Sequence, residues 1–254
     1  MGVIKFPKSK AEGYALRLRS AESYEEVLNV IKELEEDVRK SKRADLVLVL
    51  LQAYILAGMA DEAIEVVNKA EPYMENDPNL YIHLIDLKAN ALIHKRLLRE
   101  AVRELEKAIG KFPADKFPSV NKLKALKVVS LVNLGDFPSA LEALNEMGKD
   151  VFLDNVTPEV GLMIIERIHS FEQAKSHLEE NKDYRQAYEE LKEIASFSEG
   201  VYPYAFIEGD HLRYGFVVNM QESDAGRIVE KEIELFNRLM GRTGRPYVVM
   251  VNPV

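Results

Sequence analysis

Small or β-branched residues recur in this chain at the spacing of stacked helix pairs. Val27, Ala63, Ala101 and Ala140 hold equivalent places in four segments, 36, 38 and 39 residues apart. In each, a helix-length stretch ends in a short turn, an acidic or aromatic residue follows, and a small residue opens the next helix. The fullest copy reads Leu50, Ala53, Tyr54, Gly58, Asp61, Glu62, Ala63, Ile64, Val67, Ala70. Gly58 stands where a helix stops and a positive φ is needed. Ala63 is small where two helices cross closely, and Val66, Val67 and Ala70 continue a stripe of helical period. Later copies carry Ala101, Leu105, Ala108 and Pro113, then Gly135, Phe137, Ala140 and Leu144. Degenerate copies carry Tyr24, Val27 and Ile31 at one end and Tyr184, Ala187, Leu191 and Ile194 at the other. A two-helix period near this length marks a helical repeat array.

These residues resemble tetratricopeptide repeats over roughly residues 20–200, with Ala44 to Ala70 matching best through Leu50, Tyr54, Gly58, Ala63 and Ala70. The departures are specific. Val47 replaces a large aromatic, Leu51 a glycine, Arg96 the turn glycine and Lys127 a leucine, while Pro113 keeps the terminal proline. The resemblance implies a mainly α fold, a superhelix of antiparallel helix pairs whose first helices line a groove. An irregular helical bundle is the alternative.

The predicted helices lie at about 22–39, 44–57, 60–74, 79–94, 97–111, 119–133 and 137–147, with a break at 148–156. Thr157 and Pro158 suit a helix start; that helix runs to about Leu178, and another covers 184–197. The character changes at Gly200. Tyr202–Glu208 and Leu212–Met220 read as strands around Gly209-Asp210. Residues 223–240 read as a helix with Ser223 as N-cap, Asp224 in its first turn and Gly241 at its end. Its apolar stripe is Ile228, Val229, Ile233, Phe236, Leu239 and Met240. Arg242 to Arg245 reads as a loop and Pro246–Val251 as a last strand that can lie parallel to the second. The expected organisation is a repeat domain over 1–200 and a small strand-strand-helix-strand unit over 201–254. Phe216, Val217 and Val218 are consecutive, so both faces of their strand need cover. The last helix is expected on one face, and Tyr188, Leu191, Ile194 and Phe197 on the other.

No cysteine is present, which excludes disulfides, thiolate metal sites and cysteine nucleophiles. The first residues lack a signal-peptide pattern, and Phe6 breaks a myristoylation pattern at Gly2. The most apolar run, Leu46–Ala57, is too short for the roughly 20 residues of a membrane span. A cytoplasmic protein with no membrane association is expected. The net charge of −8 disfavours indiscriminate nucleic-acid binding, but Lys95–Lys127 carries ten basic and four acidic residues.

No HExxH, Walker A, GxGxxG or GxSxG pattern occurs, and no cofactor or metal is expected. His83, Asp86, Asn90 and His94 form one stripe along a helix that is otherwise Leu, Ile and Ala. With Gln52 and Lys122 at corresponding places in adjacent repeats, they are the candidate residues for a protein or peptide partner. A solvent-exposed polar face is the plainer alternative. Arg96, Arg99, Arg103 and Lys107, expected on one helical face with Lys122 and Lys124 nearby, are candidates for nucleic acid. Glu208, Asp210 and His211 crowd one turn and, with Arg242 and Arg245 flanking Gly244, are candidates for a metal-dependent enzyme acting on phosphate. The leading expectation is a non-enzymatic interaction scaffold.

Overall fold

In the computed structural model, residues 9–208, 210–220 and 228–253 are described. The protein is mainly helical with a small C-terminal three-stranded sheet. Its backbone contacts group into two compact units, 1–127 and 128–254, and the expected boundary at 200 lies inside the second.

The first unit holds α1 (Lys10–Ser20), α2 (Tyr24–Ser41), α3 (Ala44–Leu56), α4 (Ala60–Met74), α5 (Pro78–His94), α6 (Leu98–Lys111) and the first half of α7 (Val120–Leu134). From α2 to α7 these lie within three residues of the predicted ends. Helix α1 was not expected. Its signals are a Ser9 hydroxyl accepting from the Glu12 N–H and the buried Ala11, Tyr14 and Leu18 at helical spacing. Tyr14 donates to Asp37 at 2.6 Å and Arg17 makes two bonds to Glu33, which ties α1 to α2.

The repeat is visible in the turns. Gly58 and Arg96 have φ of 71° and 59°, and after each the next N–H reaches five residues back: Met59 to Tyr54 O at 2.8 Å, Leu97 to Leu92 O at 2.9 Å. This is the Schellman closure, which satisfies helix-end carbonyls. It is visible again in charge. Glu71 pairs with Lys107, Glu75 with Lys111 and Asp86 with Lys122, each 36 positions on, and Asp61 pairs with Lys95. The exposed pairs add little stability, but three of the four share an offset of 36 residues and the fourth has 34, the spacing of successive helix pairs. Ala63 and Ala101 are fully buried at the helix crossings. Helices α3 and α5 are buried nearly all round, which explains why their sequences are almost uninterrupted apolar runs.

The second unit holds α8 (Phe137–Met147), a short α9 (Lys149–Leu153) inside the expected break, α10 (Pro158–Glu180), α11 (Lys182–Ile194), β1 (Gly200–Glu208), β2 (His211–Met220), α12 (Ile228–Thr243) and β3 (Val248–Pro253). The sheet order is β1-β2-β3, with β1 antiparallel and β3 parallel to β2. Both faces of β2 are covered, as its apolar run requires. The two expected helices share one face instead of taking one face each. Phe216, Val218, Val201, Val249 and Val251 pack against both α11, through Tyr184, Ala187, Leu191 and Ile194, and α12, through Leu235 and Leu239. The opposite face of β1 meets α10, and Phe137 of α8 stacks on Phe171 and meets Tyr202 edge-on.

Helix α12 buries only part of the stripe predicted, Ile228 and Leu239, and adds Leu235 to it. Leu235 and Leu239 are inside, while Val229, Ile233 and Met240 are exposed, as is Phe197. The reason is periodic: residues 228, 235 and 239 share a face about a third of a turn from 229, 233 and 240, and the sheet took the first. Gly241 lies within α12; the stop is Gly244, φ 67°, whose N–H reaches the Met240 carbonyl. Arg242 and Thr243 are thus helical. Ser223, Asp224 and Gly209 lie outside the described residues. Among those described, no helix is long and apolar enough to cross a membrane.

Candidate binding groove

Four helices of the first unit supply one lining: α1, α3, α5 and the start of α7. Along them runs a cavity of about 330 Å³. Gln52 of α3, His83, Asp86 and Asn90 of α5, and Lys122 of α7 form its polar side. Ala15 and Leu18 of α1, Ile55 and Leu56 of α3, and Leu87 of α5 form its apolar side, with Arg19 at the rim. Five of the six residues expected for a partner are thus brought together across three helices. His94 is not among the lining. It is exposed as the last residue of α5, eleven positions beyond His83, about three helical turns.

The polar side is internally bonded. The Asp86 side chain is only 4% exposed; Lys122 Nζ donates to its Oδ2 at 2.6 Å, and Asn90 Nδ2 donates to its Oδ1 at 3.2 Å and its backbone oxygen at 2.8 Å. Two donors on one carboxylate make burial of its charge tolerable. Gln52 Nε2 lies 3.4 Å from His83 Nε2. An amide nitrogen can only donate, so His83 accepts there and is neutral on that nitrogen. Burial holds the His83 imidazole below its ordinary pKa; the Asp86 carboxylate opposes this and the Lys122 ammonium reinforces it. Lys122, more than half exposed, keeps donors toward the cavity. The arrangement offers a binding surface: an apolar wall facing a fixed polar stripe.

The wall from α1 was missed with α1 itself. Ser9-Lys10-Ala11-Glu12 and the spacing of Ala11, Tyr14, Ala15 and Leu18 were the available signals.

The other expected sites are dispersed. Arg96 sits in the α5–α6 turn and not on the helical face shared by Arg99, Arg103 and Lys107. Those three are exposed, opposite the buried Ala101, Leu105 and Ala108. Five of the seven lysines of the basic segment answer acids of this unit: Lys95 with Asp61, Lys107 with Glu71, Lys111 with Glu75, Lys122 with Asp86 and Lys127 with Glu106. Its local positive charge is thereby largely neutralised.

At the hairpin, Glu208 pairs with Arg213 at 3.3 Å, and Asp210 and His211 are exposed. Arg242 pairs with Glu190 and Glu193, and Arg245 with Asp183, so both arginines bind carboxylates of α11 instead of converging on one point. Among the described residues, no three His, Asp or Glu side chains are placed to hold one metal ion. No family model, no curated protein and no solved structure matches the chain.

Proposed function

We propose that this protein is a non-enzymatic, tetratricopeptide-repeat-like scaffold of the cytoplasm that holds a protein or peptide segment along the face of α1, α3, α5 and α7. One observation carries the reading. Residues up to 107 positions apart in sequence, Ala15 to Lys122, line a single cavity that combines an apolar wall with a bonded polar stripe. Binding sites take this form, mostly apolar with a few placed polar groups. An extended face of this kind suits a chain segment better than a compact metabolite. The absence of cysteine accords with a reducing compartment.

The test is comparative affinity capture from native cell extract with wild type and with Leu56→Glu plus Asn90→Ala. Leu56 is 66% exposed, so Leu56→Glu alone should keep the melting curve and serves as the control, whereas adding Asn90→Ala strips one donor from the buried Asp86 carboxylate and should lower the melting temperature. A protein held by wild type and lost by both variants, and crosslinked to α3 or α5, is the expected result. Identical captured sets for wild type and variants would remove the groove from the function.

A further inference from the structure

One face of the sheet is only partly covered. Side chains alternate along a strand, so Tyr202 and Tyr204 of β1, Val217 and Asn219 of β2, and Met250 and Asn252 of β3 share the face turned away from α11 and α12. Helix α10 packs on β1, and Asn219 closes one end of the face by reaching Leu134. Val248 of β3, on the same face, is left 43% exposed. Between these elements lies a cavity of about 220 Å³. Val132, Phe137, Val217 and Met250 give it an apolar lining, and Arg167, Tyr204 and Asn252 are its polar groups.

Two donors at this cavity have no task in the fold. Arg167 lies one turn before Phe171, whose ring stacks on Phe137, so the same side of α10 turns it toward the cavity. Met163, Ile164, Ser170 and Phe171 stand three and four residues from it, so α10 supplies no acid at pairing distance. The other described arginines of this unit all bond oxygen: Arg213, Arg238, Arg242 and Arg245 to carboxylates, and Arg185 to the Leu178 and Glu179 carbonyls. Arg167 is exposed and has no such partner among the described residues. The Tyr204 hydroxyl is equally unspent. Tyr184 and Tyr188 donate theirs to the Gly215 and Val201 carbonyls, whereas that of Tyr204, half-buried at the cavity, bonds no described residue. The Asn252 amide is already engaged with Asn219.

A free guanidinium beside an apolar floor suits an anion, and its flat fork matches a carboxylate with two parallel hydrogen bonds. One cation and one neutral hydroxyl answer a single negative charge. A phosphate dianion would bring a second charge to a floor of valine and methionine with nothing to meet it. The volume limits the rest of the ligand to a compact apolar body, since pockets for drug-sized molecules begin at roughly 300 Å³. We propose that this cavity binds a small apolar monocarboxylate, whose carboxylate takes hydrogen bonds from Arg167 and Tyr204 while its body lies on Phe137, Val217 and Met250. Occupancy fills the gap between α10 and the sheet and so stabilises the second unit. The site lies wholly within that unit and does not depend on the groove reading.

The test is titration of the full chain, with isotope-labelled methionine methyls, by acetate, isovalerate, hexanoate and phenylacetate. At least one of the three larger acids should saturate with a Kd on the order of 0.1–1 mM, move the Met250 methyl signal and raise the melting temperature. Acetate, which has no body to bury, should not. The primary amide of the acid that saturates should bind about tenfold more weakly or worse. Arg167→Gln and Tyr204→Phe should each weaken that acid by about tenfold, the loss of a hydrogen bond to a charged group. Their melting curves without ligand should match wild type, because neither donor has a partner to lose. No saturation by any of the four acids, saturation that leaves the Met250 methyl unmoved, an amide or acetate that binds as tightly as the larger acid, or unchanged affinity in either variant would each overturn the proposal.

Discussion

The side-chain amide of Asn219 donates to the backbone oxygen of Leu134 at 2.9 Å, joining the end of α7 to a strand residue 85 positions later. Asn219 is buried, and its own Oδ1 accepts from Asn252 of β3 at 3.0 Å. Its backbone oxygen accepts from the Glu199 N–H. One polar side chain thus caps a helix end and bridges two parallel strands. Helix-end carbonyls have no partner within the helix, so the bond relieves a group that burial would otherwise strand.

Gly135 sits directly against that amide. Its φ is 75°, with Gly135 N–H to Val132 O and Asp136 N–H to Leu131 O closing the turn, and an added Cβ would collide with the Asn219 side chain. Gly58 has nearly the same φ, 71°, but open space around its Cβ position. Gly58→Ala should therefore cost about 1 kcal/mol, the left-handed penalty alone. Gly135→Ala should cost about 3 kcal/mol, since overpacking adds to it. Urea unfolding of the two variants reads the difference; equal losses would mean that Asn219 yields freely.

Arg96 occupies the equivalent turn with φ 59°. Arg96→Gly should stabilise by about 0.5 kcal/mol, the left-handed strain relieved less the added entropy of glycine in the unfolded chain. Arg96→Ala removes the same guanidinium and keeps the strain, so it should gain nothing. Thermal melts of the pair separate backbone from charge.

His83 predicts a pH dependence. Its folded pKa is depressed by burial, so the unfolded chain takes up its proton first as pH falls. Its contribution to stability is full above the ordinary histidine value near 6.5 and is lost as pH drops through the folded value. His83→Gln removes that titration. Between pH 7 and 5 the stability of wild type should fall more steeply than that of the variant, measured by urea midpoints. Parallel curves would show that His83 is solvated in the folded state.

Glu232 turns from α12 to accept the Val251 N–H at 2.8 Å. This satisfies a donor on the outer side of an edge strand, and Pro253, next on that side, has no N–H to satisfy. Glu232→Ala should cost about 2 kcal/mol, the value of a hydrogen bond to a charged acceptor. Glu232→Gln keeps an acceptor and should lose less. Hydrogen exchange at the Val251 amide should quicken in the order wild type, Gln, Ala.

Much of the first unit could be read from residue order because its contacts are local. A helix packs mainly on its neighbours in sequence, so Gly58, Ala63 and Ala101 carry both the period and the crossing points. The same locality made the groove legible. His83, Asp86 and Asn90 share a helix face by their spacing, and the repeat offset then places Gln52 and Lys122 beside them. The last helix shows the opposite case. Ile228, Leu235 and Leu239 on one side and Val229, Ile233 and Met240 on the other are equally apolar, and nothing local chooses between them. The sheet chose, through Phe216, Val218 and Val251, and only then was the second stripe left to solvent. Asn219 is likewise silent in sequence, a polar residue at the end of a strand. Its role comes from the Leu134 carbonyl, which folding alone brings within 2.9 Å. The sequence determined each helix and its spacing, because those follow from neighbours along the chain. The tertiary structure decided which of two apolar faces is core and which polar group is a keystone, because both depend on partners distant in sequence.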